Sequence, residues 1–213
     1  MPLFYQKDIN HLSKLAIWHL VEEEVFFADI VPIKKDITHP HKRLQHLGGR
    51  YLLPFLYPDF PYDAIEIADT KKPFLPEEQY HFSISHCGDF AAAIVSSREH
   101  VGIDIEIITE RVHKIKQKFL HVDELAFVNN YPAEEHTKLL TLLWSAKEAM
   151  FKCWGRGDIS FSQVLRIAPF KMMPSGIMQA AFQKSDMLFP LQLHYQIWDE
   201  MVLVWVVTEP IVR

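Results

Sequence analysis

Apolar and polar residues alternate over residues 103–107, where Ile103, Ile105 and Ile107 are separated by Asp104 and Glu106. That period of two predicts a strand with one buried face and both carboxylates on the other. Successive same-face residues on a strand stand roughly 6.6 Å apart, close enough for two carboxylates to share one cation. A helical period governs the chain further on. Trp144, Glu148 and Lys152 recur at i, i+4 and i+8, with Lys147 on their flank and Gly155 and Gly157 to end the helix.

The remaining pattern predicts a mixed order of elements. Residues 15–20 read as a short strand, 22–30 as a helix opened by acids, and 40–56 as a longer helix with Pro40 at its start. Short strands and turns fill residues 64–101, including a strand over 90–97 after the Gly88-Asp89 turn. Helix is expected over 111–130, interrupted near Pro132 and resumed through Trp154. Strands follow over 164–168, 176–182, 191–198 and 201–208, the last two joined at Asp199-Glu200. Runs of strands and of helices, not strict alternation, place the chain in the α+β class.

Composition narrows the function. With 213 residues and 49% hydrophobic content the chain can bury a substantial core, as one large domain or two packed halves. A net charge of -5 argues against a general nucleic-acid binder, which needs a basic field. The start of the chain lacks an apolar signal-peptide core and the longest apolar run, 201–207, is too short to span a bilayer. A cytoplasmic protein with no membrane partner is the expectation. Cys87 and Cys153 lack metal-binding or disulfide-framework spacing. The 12 histidines, with a local group at His39, His41 and His46, show no zinc motif and read as a surface cluster.

Taken singly, the strand could be an ordinary half-solvated strand, and Glu148 with Lys152 a common stabilising helix pair. Together, Gly102-Ile103-Asp104-Ile105-Glu106 and Trp144-Ser145-Ala146-Lys147-Glu148-Ala149-Met150-Phe151-Lys152 resemble the two signatures of the 4′-phosphopantetheinyl transferase superfamily. Those signatures are a G-[IV]-D-[IV]-E strand and a W-[ST]-x-K-E-[AS]-x-x-K helix, matched here at every defined position. The resemblance is to the larger type that activates peptide synthetases such as that for surfactin. Thr70-Lys71-Lys72-Pro73-Phe74-Leu75-Pro76 is similar to the family's G-K-P-x-[IL]-P loop, with Thr70-Lys71 where a glycine often precedes the Lys-Pro. Phe82-Ser83-Ile84-Ser85-His86-Cys87-Gly88 is similar to its F-[SN]-[IL]-S-H-[ST]-G turn, with Cys87 in place of a hydroxyl residue. The resemblance runs from about residue 40 to residue 160.

The resemblance implies two similar α+β halves packed as a pseudo-dimer, the 4′-phosphopantetheinyl transferase fold, here 1–99 and 100–213. It implies an enzyme that moves the 4′-phosphopantetheine arm of coenzyme A to a serine of an apo acyl or peptidyl carrier protein, releasing 3′,5′-ADP. Mg²⁺, replaceable by Mn²⁺, would be held by Asp104, Glu106 and Glu148, with Lys152 on the pyrophosphate and Lys147 assisting. Glu148 and Glu124 both stand as candidates for the base that takes the serine proton. Arg43, His86 with Ser85, and Lys42 would meet the 3′-phosphate, and Lys72 and Pro73 the adenine side. For Arg43 and Lys42 a solvated helix face is the competing reading. The basic run Arg111, Lys114, Lys116 and Lys118 offers a surface for an acidic carrier, or an ordinary solvated face. A monomer is expected. Other readings are a non-catalytic coenzyme A-binding scaffold and a different Mg-dependent phosphotransferase, the latter without the G-x-x-x-x-G-K-[ST] loop.

Overall fold

A computed structural model describes residues 2–31, 37–70, 72–155, 157, 159–184 and 187–210. The first sheet is antiparallel, in the order β1-β2-β6-β5, from β1 (Leu3–Asp8), β2 (Ser13–His19), β5 (His81–Cys87) and β6 (Phe90–Ser96). The second contains β7 (His100–Ile107), β8 (Leu165–Ile167), β9 (Ser175–Lys184), β10 (Met187–Ile197) and β11 (Met201–Thr208). Its order is β7-β11-β10-β9-β8, again antiparallel. A small hairpin pairs β3 (Glu66–Ile67) with β4 (Pro73–Phe74). The helices are α1 (Glu24–Ala28), α2 (Pro40–Leu56), α3 (Lys116–Phe119), α4 (Val122–Asn129), α5 (His136–Trp154) and α6 (Phe161–Val164). Segregated sheets and helices give the α+β class expected from the sequence.

Strand alternation builds four layers. On β2, Ala16 and Trp18 pack with Leu47 and Leu52 of α2, while Leu15 and Ile17 face Ile103, Ile105, Leu203 and Trp205 of the second sheet. On β11, Val202, Val204 and Val206 turn the other way, onto Leu139, Leu142 and Ala146 of α5. The order is therefore α2, first sheet, second sheet, α5; β2, β6, β7 and β11 are buried on both faces, whereas β9 and β10 leave alternate residues such as Ile177 and Leu188 exposed. One consequence differs from the sequence reading. The carboxylate face of β7 is not solvated, because α5 covers it and Asp104 is only 3% exposed.

Two further differences have physical causes. Strand β1 carries no clear alternation because it is a largely exposed edge, held by its ladder to β2. Strand β10 starts before Pro190, which a central strand would reject for want of an N–H. It is tolerated because β11 pairs with β10 only from Leu193 to Ile197, leaving Pro190 laddered on the β9 side alone.

Candidate active site

Strands β5 and β7 are the edges at which the two sheets meet, and side chains there replace a backbone ladder. Ser83 Oγ accepts from the Ile103 N–H at 3.2 Å, and Ser85 Oγ from the Ile105 N–H at 3.3 Å. Serines two residues apart thus satisfy alternate amides of the facing edge, which would otherwise be buried unpaired. Ser85 goes further. Its hydroxyl donates to Asp104 Oδ1 at 2.7 Å and accepts from Lys152 Nζ at 2.8 Å, while Lys152 Nζ also reaches Asp104 Oδ1 at 2.7 Å.

The second edge is brought under α5 by Gly102. A Cβ at that position would run into the Ala149 carbonyl oxygen and lie 2.9 Å from Cys153 Cβ. Only a residue without a side chain lets the strand approach this closely. The Trp144, Glu148 and Lys152 stripe then falls over the carboxylates. Trp144 Nε1 donates to Glu106 Oε1 at 3.0 Å, and Ser145 Oγ donates to the Asp104 carbonyl oxygen at 3.2 Å.

The carboxylates are held in a strained electrostatic balance. Burial and then the Asp104 charge push Glu106 up to about 7, and the same two causes in the same order push Glu148 up to about 7. Asp104 Oδ2 is buried with no hydrogen-bond partner. An unfilled oxygen beside two proton-hungry glutamates fits a hard divalent cation, whose ligands are oxygens. Among the described residues, however, no three donors stand gathered as a ready cage. The Lys152 ammonium supplies the counter-charge at Asp104 instead.

Glu148 and Lys152 open onto a cleft of about 550 Å³ between α2, the β3–β4 hairpin and α5. Its walls include Gln45, His46, Arg50, Lys72, Pro73 and His86, with Phe151 and Gly155 at the α5 end. His86 is drawn below the usual imidazole range by desolvation and then by Lys152. A second cleft of about 250 Å³ shares Lys72, Pro73, Phe82 and Gly155 with it, on the far side of the hairpin.

Several residues expected at the site are placed elsewhere. Arg43 pairs with Glu24 Oε1 at 2.7 Å and donates to the Ile37 carbonyl oxygen at 3.0 Å, so its charge is spent away from the cleft. Lys42 is exposed on α2 and does not line it. Lys147 is fully buried and donates to Glu124, to the Phe119 carbonyl oxygen at 2.7 Å and to the Phe161 carbonyl oxygen at 3.1 Å. All three protons of its ammonium have acceptors, leaving none for a phosphate. Glu124 receives Lys147 and the His121 and Ile167 N–H groups, which ties α4 to α5 and β8 and keeps it from a proton-transfer role. Ser85, by contrast, is at the site, but its buried hydroxyl is engaged by Asp104, Lys152 and the Ile105 amide and not by the cleft.

Arg50, which the sequence reading did not single out, and His46, which it placed in a surface cluster, both line the cleft. They sit four residues apart on α2 with Arg50 Nη1 and His46 Nδ1 at 3.1 Å, a spacing that marks one helix face. Cys87 and Cys153 are both buried and pushed up to about 12 by burial, so neither offers a thiolate.

Comparison with known proteins agrees with this construction. The family model described as "4'-phosphopantetheinyl transferase superfamily" matches residues 100–198. The 4′-phosphopantetheinyl transferase psf-1 of Bacillus pumilus is 38% identical over 78 residues, 37% of this chain and 33% of that protein. The 4′-phosphopantetheinyl transferase gsp of Aneurinibacillus migulanus is 34% identical over 86 residues, covering 40% and 35%. Enterobactin synthase component D of Escherichia coli K12 is 34% identical over 122 residues, covering 52% and 54%. The chain thus spans between a third and about half the length of these relatives. The stretch that matches the 4′-phosphopantetheinyl transferase superfamily, residues 100–198, is the one that carries Asp104, Glu106, Glu148 and Lys152.

Proposed function

We propose that the protein transfers the 4′-phosphopantetheine arm of coenzyme A to a serine hydroxyl of an apo acyl or peptidyl carrier protein, releasing 3′,5′-ADP. The observation that carries this reading is Asp104, buried with one oxygen unfilled and joined to Lys152, which with Glu148 lines a cleft large enough for a nucleotide. Asp104, Glu106 and Glu148 would hold Mg²⁺ or Mn²⁺, which when bound supplies positive charge at the pyrophosphate. The chain's own residues do the rest.

In the transfer, the serine oxygen forms a bond to the phosphorus that carries the pantetheine arm, and the bond from that phosphorus to the ADP oxygen breaks. Catalysis of such a step is mainly positioning and charge neutralisation. Lys152 stabilises negative charge that grows on the departing ADP. Glu148, which opens onto the cleft, is the group to take the serine proton. Arg50 supplies the positive charge for the 3′-phosphate and His46 and His86 flank it as ring N–H donors, in place of Arg43 and Lys42, while Pro73 lines the adenine side with the stem of Lys72.

The halves 1–99 and 100–213 are read as a pseudo-dimer around this cleft, in a cytoplasmic monomer. Among the described residues no helix is long and apolar enough to cross a membrane. The carrier is assigned to the side of α3, where Arg111, Lys114 and Lys118 are exposed. Carrier-dependent release of 3′,5′-ADP from coenzyme A in the presence of Mg²⁺ tests the function. Binding of coenzyme A without release leaves only a scaffold, and release without a carrier points to a different phosphotransferase.

A further inference from the structure

Lys72 lies just before β4, in the first stretch of chain, yet its ammonium crosses to the end of α5. Lys72 Nζ donates to the Lys152 carbonyl oxygen at 2.6 Å. A helix leaves its last carbonyls without partners, and a cation placed there satisfies one of them and complements the helix dipole. The next turn is shaped around this contact. Gly155 caps α5 with φ of 67°, in the left-handed region, and a Cβ there would lie 2.8 Å from Lys72 Nζ and 3.2 Å from Lys72 Cδ. The left-handed backbone favours glycine here, and a Cβ would press on the Lys72 side chain where it reaches the carbonyl.

The gripped carbonyl belongs to the same residue whose ammonium reaches Asp104 and Ser85. The loop that does the gripping also closes the β3–β4 hairpin that walls both clefts. Thus one contact ties the cleft wall to the last turn of the helix that carries the phosphate-binding lysine.

We propose that Lys72 is a positioning residue that grips the backbone of Lys152, holding the last turn of α5 so that the Lys152 ammonium stays aimed at the phosphate site and the hairpin stays clamped over the cleft. This rests on the coenzyme A reading above. It differs from a coenzyme contact in what it controls: the Lys72 ammonium touches protein, so its loss disturbs the reacting centre and not the coenzyme's own bonds.

The test is Lys72→Met, which keeps the stem and removes the charge, alongside Lys72→Arg, which restores a cationic donor. Lys72→Met should keep the coenzyme A Kd within about threefold while kcat for carrier transfer falls by about tenfold or more, and Lys72→Arg should recover most of kcat. Weaker coenzyme binding with kcat unchanged makes Lys72 a ligand contact and overturns the proposal; so does no change in either quantity. Hydrogen exchange on the wild-type chain decides the matter without substrate, should Lys72→Met fail to fold or the wild type fail to transfer. The Ala68 amide, bonded to the Lys72 carbonyl, and the Gly155 amide, bonded to the Phe151 carbonyl, lie on the two sides of the latch. They should exchange within about tenfold of each other, and a wider gap overturns the latch. Absence of transfer by the wild type would sink the coenzyme reading alone.

Discussion

At Asp104, one oxygen is saturated by Ser85 and Lys152 while the other is buried without a hydrogen-bond partner, which is the observation behind the proposed metal role. Asp104→Ala should lower transfer by about a hundredfold or more without loss of fold, read by kinetics and thermal unfolding together. Transfer near the wild-type rate would remove the metal role. Lys152 should act on turnover: Lys152→Ala lowers kcat more than it weakens coenzyme A, because it meets charge that grows on the leaving group. The glutamates give a pH signature. Glu106 and Glu148 are raised from 4.5 to about 7, so the native chain holds more protons than the unfolded chain within that window. Stability of the metal-free protein should therefore fall as pH rises through the window, and level off above it. The double variant Glu106→Gln with Glu148→Gln should lose that part of the pH dependence in urea unfolding; a profile identical to the wild type's would refute the burial argument. At the 3′-phosphate, each charge-assisted bond is worth on the order of 1.5–3 kcal/mol. Arg50→Ala and His86→Ala should erase much of the preference for coenzyme A over its dephospho form by calorimetry, whereas Arg43→Ala should leave it. Equal weakening of both ligands would place the phosphate elsewhere.

Among the elements, the closeness of β7 to α5 determines whether the carboxylates and the lysine meet at all. Gly102→Ala forces a methyl group against the Ala149 carbonyl and Cys153, and should cost about 1–3 kcal/mol of stability with a matching loss of transfer. A variant with unchanged unfolding would show that the strand can shift freely. The motif strand and helix were legible because their periods are strong and the end of the helix is marked by the left-handed Gly155. So was α2, opened by Pro40. Edge strand β1 and the early start of β10 were not, since pairing partners and not local pattern create them. At the site the same division holds. Asp104, Glu106, Glu148 and Lys152 come from short local patterns, whereas the removal of Lys147 and Glu124 depends on α4 folding against α5. The diversion of Arg43 likewise depends on Glu24, 19 residues earlier in the chain. Such long-range pairings leave no periodic trace.

For the molecule as a whole, two sheets packed face to face leave their outer edges at β5 and β7 to meet through serines, and the cleft opens beside that seam. Residues from both sheets must therefore be in register before Lys152, Ser85 and Asp104 can join. The protein carries a net charge of -5, so attraction to an acidic carrier has to come from a local surface such as Arg111, Lys114 and Lys118. The most direct test of the account is the intact mass of an apo carrier domain incubated with the protein, coenzyme A and Mg²⁺. The account predicts that the carrier gains the mass of one phosphopantetheinyl group, that the gain stops when excess chelator is present, and that it is lost when the carrier serine is replaced by alanine. A carrier mass that stays unchanged while coenzyme A binds the protein would contradict it.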